Sequence, residues 1–125
     1  MKTGIAILVV SESSLQLSLT IAKHLPGSNL YSSFESIFTD TIPSIATFLK
    51  EHFNRFEAIV FVGSLGICVR SIAPFITDKH TDPAIVNIDS TGKYIVSVLS
   101  GHIGGANSLT KQIARITGGQ AVTTT

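Results

Sequence analysis

The chain has 125 residues, of which 44% are hydrophobic and only 14% charged, with a formal net charge of +1. That length fits one domain around one core. The balance excludes a disordered tail, and excludes nucleic acid or an anionic membrane as a partner held by bulk charge. The single cysteine, Cys68, has no internal partner for a disulfide, which points to a reducing, cytoplasmic setting.

The first apolar run, residues 4–10, is too short for a bilayer span of about 20 residues. It passes into Ser11-Glu12-Ser13-Ser14 without a small-x-small cleavage site, so it reads as a first strand buried on both faces of a parallel sheet. Ser11 is placed to cap the helix that follows, with Glu12 in its first turn and Leu15, Leu19 and Ala22 as its apolar stripe. Pro26-Gly27 stops that helix. Residues 29–31 read as a short second strand, and residues 32–38 have no clean period. Asp40 or Thr41 is expected to cap a second helix with Pro43 in its first turn. That helix should bury Ile42, Ile45, Ala46, Leu49 and Phe53 and leave Lys50, Glu51 and Arg55 wet.

Residues 58–62, Ala-Ile-Val-Phe-Val, are the most strand-like run in the chain. Gly63-Ser64-Leu65-Gly66 then makes a glycine-bearing strand-to-helix turn, and a short helix carries Ile67, Cys68, Val69, Arg70 and Ile72 until Pro74 interrupts it. The apolar neighbours of Cys68 predict a buried, inert thiol. Residues 77–83 are the most polar stretch and are expected to form a solvated surface loop. Residues 84–89 and 94–99 read as strands joined by Ser90-Thr91-Gly92-Lys93, a hairpin spacing that makes the sheet mixed.

The second strand of that hairpin leads into Ser100-Gly101-His102-Ile103-Gly104-Gly105-Ala106-Asn107. The last helix follows over residues 108–117, its expected buried stripe being Ile103, Ala106, Leu109 or Thr110, Ile113 and Ile116, with Lys111 and Arg115 solvated. A strand-to-helix junction aims backbone N–H groups and a positive dipole end at one point, and glycines let a ligand approach that backbone. His102 adds a titratable imidazole. Gly118-Gly119 ends the helix, and residues 120–125 begin a strand with no closing element. The chain therefore reads as one domain, residues 1–125, and as part of something larger.

This order predicts an α/β fold, a three-layer sandwich whose mainly parallel sheet carries one antiparallel hairpin near its C-terminal half. In such folds ligands sit beyond the carboxyl ends of the strands, so both glycine turns are expected on one rim, lining one pocket. The familiar nucleotide loops are absent, and Gly63-Ser64-Leu65-Gly66 is not a hydrolase nucleophile elbow. The four histidines are scattered without metal-ligand spacing; Asp78, His80 and Asp82 are better read as a solvated loop than as ligands. What remains is an anion-friendly rim, with Arg70, Lys79 and Lys93 as candidate charges and His102 as a proton carrier. Read locally, Arg70 is a solvent-facing helix residue.

Phe61-Val62-Gly63-Ser64-Leu65-Gly66-Ile67-Cys68-Val69-Arg70 with Ile72-Ala73-Pro74, Asp78-Lys79 with Thr81-Asp82-Pro83-Ala84, and Leu99-Ser100-Gly101-His102-Ile103-Gly104-Gly105-Ala106-Asn107 resemble the amino-terminal region of the cobalt-precorrin-5A hydrolases (the CbiG family) of anaerobic cobalamin biosynthesis. Residues 120–125 fit the same pattern, whereas the first half resembles the family only in its alternation of strands and helices. The resemblance implies an enzyme that opens the δ-lactone of a tetrapyrrole substrate with water and releases acetaldehyde. It implies no cofactor, since the substrate carries its own cobalt, and it implies further domains as partners. Motif position and chemistry make His102 the candidate for proton transfer, with the Gly104 and Gly105 N–H groups as oxyanion donors. They place Gly63, Ser64, Gly66, Arg70, Lys79, Ser100, Gly101 and Asn107 around the substrate. Two alternatives stand beside this: a non-catalytic module that holds a corrinoid or another anion for a neighbouring domain, and a flavodoxin-like nucleotide-binding domain, which lacks a ribose-binding acid after its second strand.

Overall fold

A computed structural model describes residues 2–125. The strands are β1 (Ile5–Val9), β2 (Ser28–Ser32), β3 (Asp40–Thr41), β4 (Ala58–Val62), β5 (Ala84–Ile88), β6 (Tyr94–Leu99) and β7 (Gln120–Val122). The helices are α1 (Leu15–Lys23), α2 (Ile45–His52), α3 (Leu65–Ile72) and α4 (Ala106–Thr117). All seven strands join one sheet in the order β3-β2-β1-β4-β5-β6-β7. The first five are mutually parallel; β6 runs antiparallel to β5, and β7 runs parallel to β6. The expected hairpin and mixed sheet are both present.

The central strands are apolar on both faces because helices cover both. Ile7, Val9, Val60 and Val86 pack with Ile21 of α1 and Ala106, Leu109 and Ile113 of α4. The alternate residues Ala6, Leu8, Ile59 and Phe61 pack with Phe48 and Leu49 of α2 and Cys68 and Ile72 of α3. Each such aliphatic side chain contributes about 1.5–3 kcal/mol when fully buried, which is how a chain this short supports three layers. Burial pushes the Cys68 thiol up to about 12, so it remains a protonated, inert core residue. No helix among the described residues is long and apolar enough to cross a membrane.

The helix starts differ from expectation. A single 3-10 turn, Glu12–Ser14, precedes α1, and the Ser11 hydroxyl bonds Ser13 instead of capping. Ser14 and Ser18 are buried with Ile21, while Leu15, Leu19 and Ala22 flank them half-buried. The two serines can enter the core because their hydroxyls donate to Ser11 and Ser14 carbonyls, each at 2.8 Å. Ser44 caps α2, its Oγ accepting the Thr47 N–H at 3.0 Å. Asp40 and Thr41 are instead a short edge strand, held there as Ile42 buries its side chain and its N–H donates to the Ser32 carbonyl at 2.8 Å. Phe48 takes the buried place expected for Ala46, which is exposed.

The β5–β6 turn is closed by Asp89, whose carboxylate accepts the Thr91 N–H at 3.1 Å, the Tyr94 N–H at 2.6 Å and the Thr91 hydroxyl. Burial pushes this carboxyl up, and the bonds from Thr91 and Tyr94 outweigh it, leaving its pKa below the ordinary value of 3.8. A carboxyl with a depressed folded-state pKa stabilises the fold above its unfolded pKa and loses that contribution as the pH falls through the folded one. Asp89→Ala should therefore cost about 1–3 kcal/mol near neutral pH. The difference in melting temperature from the parent chain should shrink as the pH is taken below 3.8; a pH-independent difference would remove the charge from this account.

Candidate functional site

The strand directions place the two glycine turns. Gly63 follows β4 at the carboxyl rim of the parallel strands, where its N–H donates to the Ile88 carbonyl at 2.9 Å. Strand β6 runs the other way, so the turn that follows it lies at the amino ends of β4 and β5. Leu99 pairs with Ile85, and the Ser100 hydroxyl donates to the Asp82 carbonyl at 3.3 Å. The two turns are thus separated by the length of a strand, about 17 Å for five residues. The expected single pocket does not exist, because the hairpin reverses the chain before the second turn.

On the carboxyl rim, Ser64 caps α3, accepting the Ile67 N–H at 3.4 Å. Gly63 lies against Val10, whose side chain would be 3.0 Å from an added Cβ, whereas Gly66 has open space around it. Arg70, in the last turn of α3, is exposed. Neither it nor Gly63, Ser64 or Gly66 lines a cavity with His102.

On the amino rim the motif residues form a closed loop. Ser100 sits at φ 60°, the left-handed region, which turns its carbonyl to accept the Ala106 N–H at 3.1 Å while Gly101 accepts from Asn107 at 3.0 Å. These bonds tie the loop to the first turn of α4. Gly104 crosses so close to Ser100 that a Cβ there would lie 2.5 Å from the Ser100 Cβ and 2.9 Å from its carbonyl oxygen. Asn107 braces the loop on two sides: Oδ1 accepts the Ser97 hydroxyl at 2.6 Å, and Nδ2 donates to Thr125 Oγ1 at 2.7 Å. Gly101 is pressed against that amide, since its Cβ would be 2.8 Å from Oδ1.

The loop apex carries His102 and Ile103 into solvent. Ile103 is 60% exposed, not buried as expected, because α4 begins only at Ala106 and helical periodicity does not reach it. The His102 imidazole bonds no protein group among the described residues. Lys79, Ser100, Gly101, His102, Ile103 and Thr125 enclose a cavity of about 250 Å³. A second, of about 210 Å³, lies across Gly101 and Thr125 and reaches Ser97 and Asn107. Gly104 and Gly105 belong to the same loop but line neither cavity.

The segment that leads to Lys79 is pinned at Thr77 by Asp82. This carboxylate was expected in a solvated loop, yet Asp82 is only 4% exposed. It accepts the Thr77 N–H at 3.0 and 3.2 Å and the Thr77 hydroxyl at 3.0 Å, while its carbonyl takes the Ser100 hydroxyl. One residue therefore joins the segment bearing Lys79 to the loop bearing His102. Asp78 accepts the N–H of His80 at 2.9 Å and meets its Nδ1 at 2.9 Å; these bonds hold the Asp78 carboxyl below its usual range. Among the described residues no three His, Cys, Asp or Glu side chains converge to hold a metal ion.

Sequence reasoning missed Ser97, Thr125 and the role of Asp82. Ser97 joins the site because the first turn of α4 lies across β6, and Thr125 because the chain passes through β7, which returns parallel to β6. The burial of Asp82 was foreshadowed by Pro83 and the apolar β5 behind it. The assembled amino-rim site offers an ammonium, an imidazole and backbone N–H groups beside a small cavity, a combination suited to binding an anion and moving a proton.

The family described as Cobalamin synthesis G N-terminal matches residues 47–125. A cobalt-precorrin-5A hydrolase of Salmonella typhimurium is 46% identical over 76 residues, covering 61% of this chain and 22% of that protein. One of Priestia megaterium is 46% identical over 82 residues, covering 66% and 22%. A crystal structure described as a cobalamin biosynthesis protein G homolog from Sulfolobus solfataricus superposes with a TM-score of 0.77 at 26% identity, over 97% of this chain and 36% of that one. The chain thus spans about a fifth of the length of the curated relatives it matches.

Proposed function

Because the chain belongs to the Cobalamin synthesis G N-terminal family, we propose that it serves cobalamin biosynthesis as the domain that binds cobalt-precorrin-5A and takes part in opening its δ-lactone. The observation that carries this reading is the amino-rim loop itself. Residues 100–107 fold into a braced loop that presents His102, with Lys79, to one cavity. Water adds to the lactone carbonyl carbon as the imidazole takes its proton, and the candidate donors to the oxyanion are the N–H groups of Gly104 and Gly105, which belong to the same loop but lie outside the cavity lining. The ring C–O bond then breaks toward an alkoxide. Collapse of that alkoxide to a carbonyl expels the two-carbon fragment as acetaldehyde and leaves the bonding pair on the macrocycle. Lys79 holds a peripheral carboxylate. The cobalt arrives with the substrate, so the scheme calls on no resident cofactor.

A second reading is favoured by one feature. Among the described residues no carboxylate or carbonyl bonds the His102 ring, whereas general bases are commonly held by a third group. The domain would then bind the corrinoid while the further sequence of the longer relatives supplies the base. Incubation with cobalt-precorrin-5A, with and without that further sequence, separates the two. Acetaldehyde release that depends on His102 supports the catalytic reading. Release that survives His102→Ala, with binding retained, supports the binding module.

A further inference from the structure

Lys50 and Arg55, which helical periodicity assigns to solvent, stand over a cavity. Helices α2 and α3 both run from the carboxyl rim to the amino rim, and their ends converge there on a space of about 420 Å³ lined by Lys50, Phe53, Arg55, Pro74, Phe75 and Thr77. Its apolar wall is firm: Phe53 is 2% exposed, and the Phe75 ring lies 5.8 Å from it. The backbone under Arg55 is also fixed, its N–H donating to His52 at 2.9 Å and its carbonyl accepting from Thr3 at 3.0 Å. Neither the Lys50 ammonium nor the Arg55 guanidinium bonds a protein group among the described residues. Glu51 also lines the cavity, 3.7 Å from His52 Nε2, and the two cations outnumber it.

This cavity adjoins the His102 site. Thr77 lines one and Lys79 lines the other, and residues two apart lie within about 7 Å of each other. The short segment between them is pinned from beneath by Asp82. Its exposed carboxylate, Asp78, is taken up by His80.

We infer that the cavity between the ends of α2 and α3 is a second anion subsite, which takes a carboxylate borne on a planar apolar group. Arg55 grips the carboxylate with its planar fork, Lys50 adds charge, and Phe75 with Pro74 covers the apolar face. A ligand with several peripheral carboxylates lies across residues 77–79, one edge at Lys79 and His102 and the other at Lys50 and Arg55; this last clause rests on the proposed function.

The subsite is tested without any turnover by titrating the protein with naphthalene-2,6-dicarboxylate and following backbone amides by NMR. Saturable shifts at Asn54, Arg55 and Thr77 are expected, with affinity reduced roughly tenfold or more by Arg55→Ala and partly restored by Arg55→Lys. Melting temperature should be unchanged, since the side chain is exposed. Shifts that do not saturate, or that are confined to residues 100–103, would overturn the subsite. Activity distinguishes it from the function reading. If Arg55→Ala leaves the KM for cobalt-precorrin-5A unaltered while His102→Ala abolishes turnover, the spanning mode falls and the proposed function stands. If the dicarboxylate binds at Arg55 but no acetaldehyde forms, the subsite stands and the hydrolase reading falls.

Discussion

Turnover of cobalt-precorrin-5A should fall by about 10²–10⁴-fold in His102→Ala, the range lost when a positioned acid–base group is removed, with no loss of stability. The second half of that expectation comes from the structure. A histidine kept to hold a loop together would bond a neighbouring carbonyl, and its removal would lower the melting temperature and cut activity only in proportion to folded protein. The His102 ring is exposed and bonds no protein group among the described residues, so its removal leaves the loop's own bonds intact. Those run from Ser100 and Gly101 to the first turn of α4. Turnover per folded molecule, measured beside the melting temperature with the further sequence of the longer relatives supplied, reads both quantities. A stable and fully active His102→Ala protein would end the assignment.

Gly104→Ala should do damage of a different kind. Carbon atoms in contact lie about 3.5–4.0 Å apart, and the new Cβ would stand 2.5 Å from that of Ser100. Ser100 has little freedom to retreat. Its hydroxyl is held by Asp82, its carbonyl by Ala106, and its backbone is already left-handed. Overpacking of this type costs about 1–3 kcal/mol, and displacing His102 by an ångström would itself cost about 10²-fold in rate. Gly104→Ala should therefore lose both stability and activity, where His102→Ala loses activity alone. Gly66→Ala is the control. Nothing lies within 4 Å of its Cβ position, and in the first turn of α3 it should be neutral or stabilising by up to about 1 kcal/mol. Equal melting temperatures for the Gly104 and Gly66 variants would contradict the loop geometry.

The elements were legible wherever a local pattern decides the structure. The apolar runs of β1 and β4, the hairpin residues 90–93 and the Gly118 stop each have a short-range cause. Misreadings arose where a long-range contact decides instead. Asp40 and Thr41 look like a cap and become an edge strand because Ile42 finds a core to enter. Leu15, Leu19 and Ala22 look like the buried stripe and are only half-buried, because Ser14 and Ser18 enter the core once neighbouring carbonyls satisfy them. The site shows the same division. The sequence 100–107 announced a special loop through its glycines, and Lys79 and His102 do share a cavity. The rim differs from expectation because β6 runs antiparallel to β5 and so carries the turn after it to the amino ends of the parallel strands. Lys50 and Arg55 are exposed as periodicity predicts; the cavity beside them is not legible, because periodicity reports which face of a helix is wet, not what the end of the next helix builds beside it.

Ligand is expected at the amino rim, around residues 77–82 and 100–107, and not at the carboxyl rim where parallel α/β sheets ordinarily place it. Amide hydrogen exchange on the His102→Ala protein, with and without cobalt-precorrin-5A, tests this most directly, since the variant should bind substrate without consuming it. Slowed exchange is expected over residues 77–82 and 100–107, with residues 63–66 unchanged. Slowed exchange at residues 63–66, with none in the His102 loop, would contradict it.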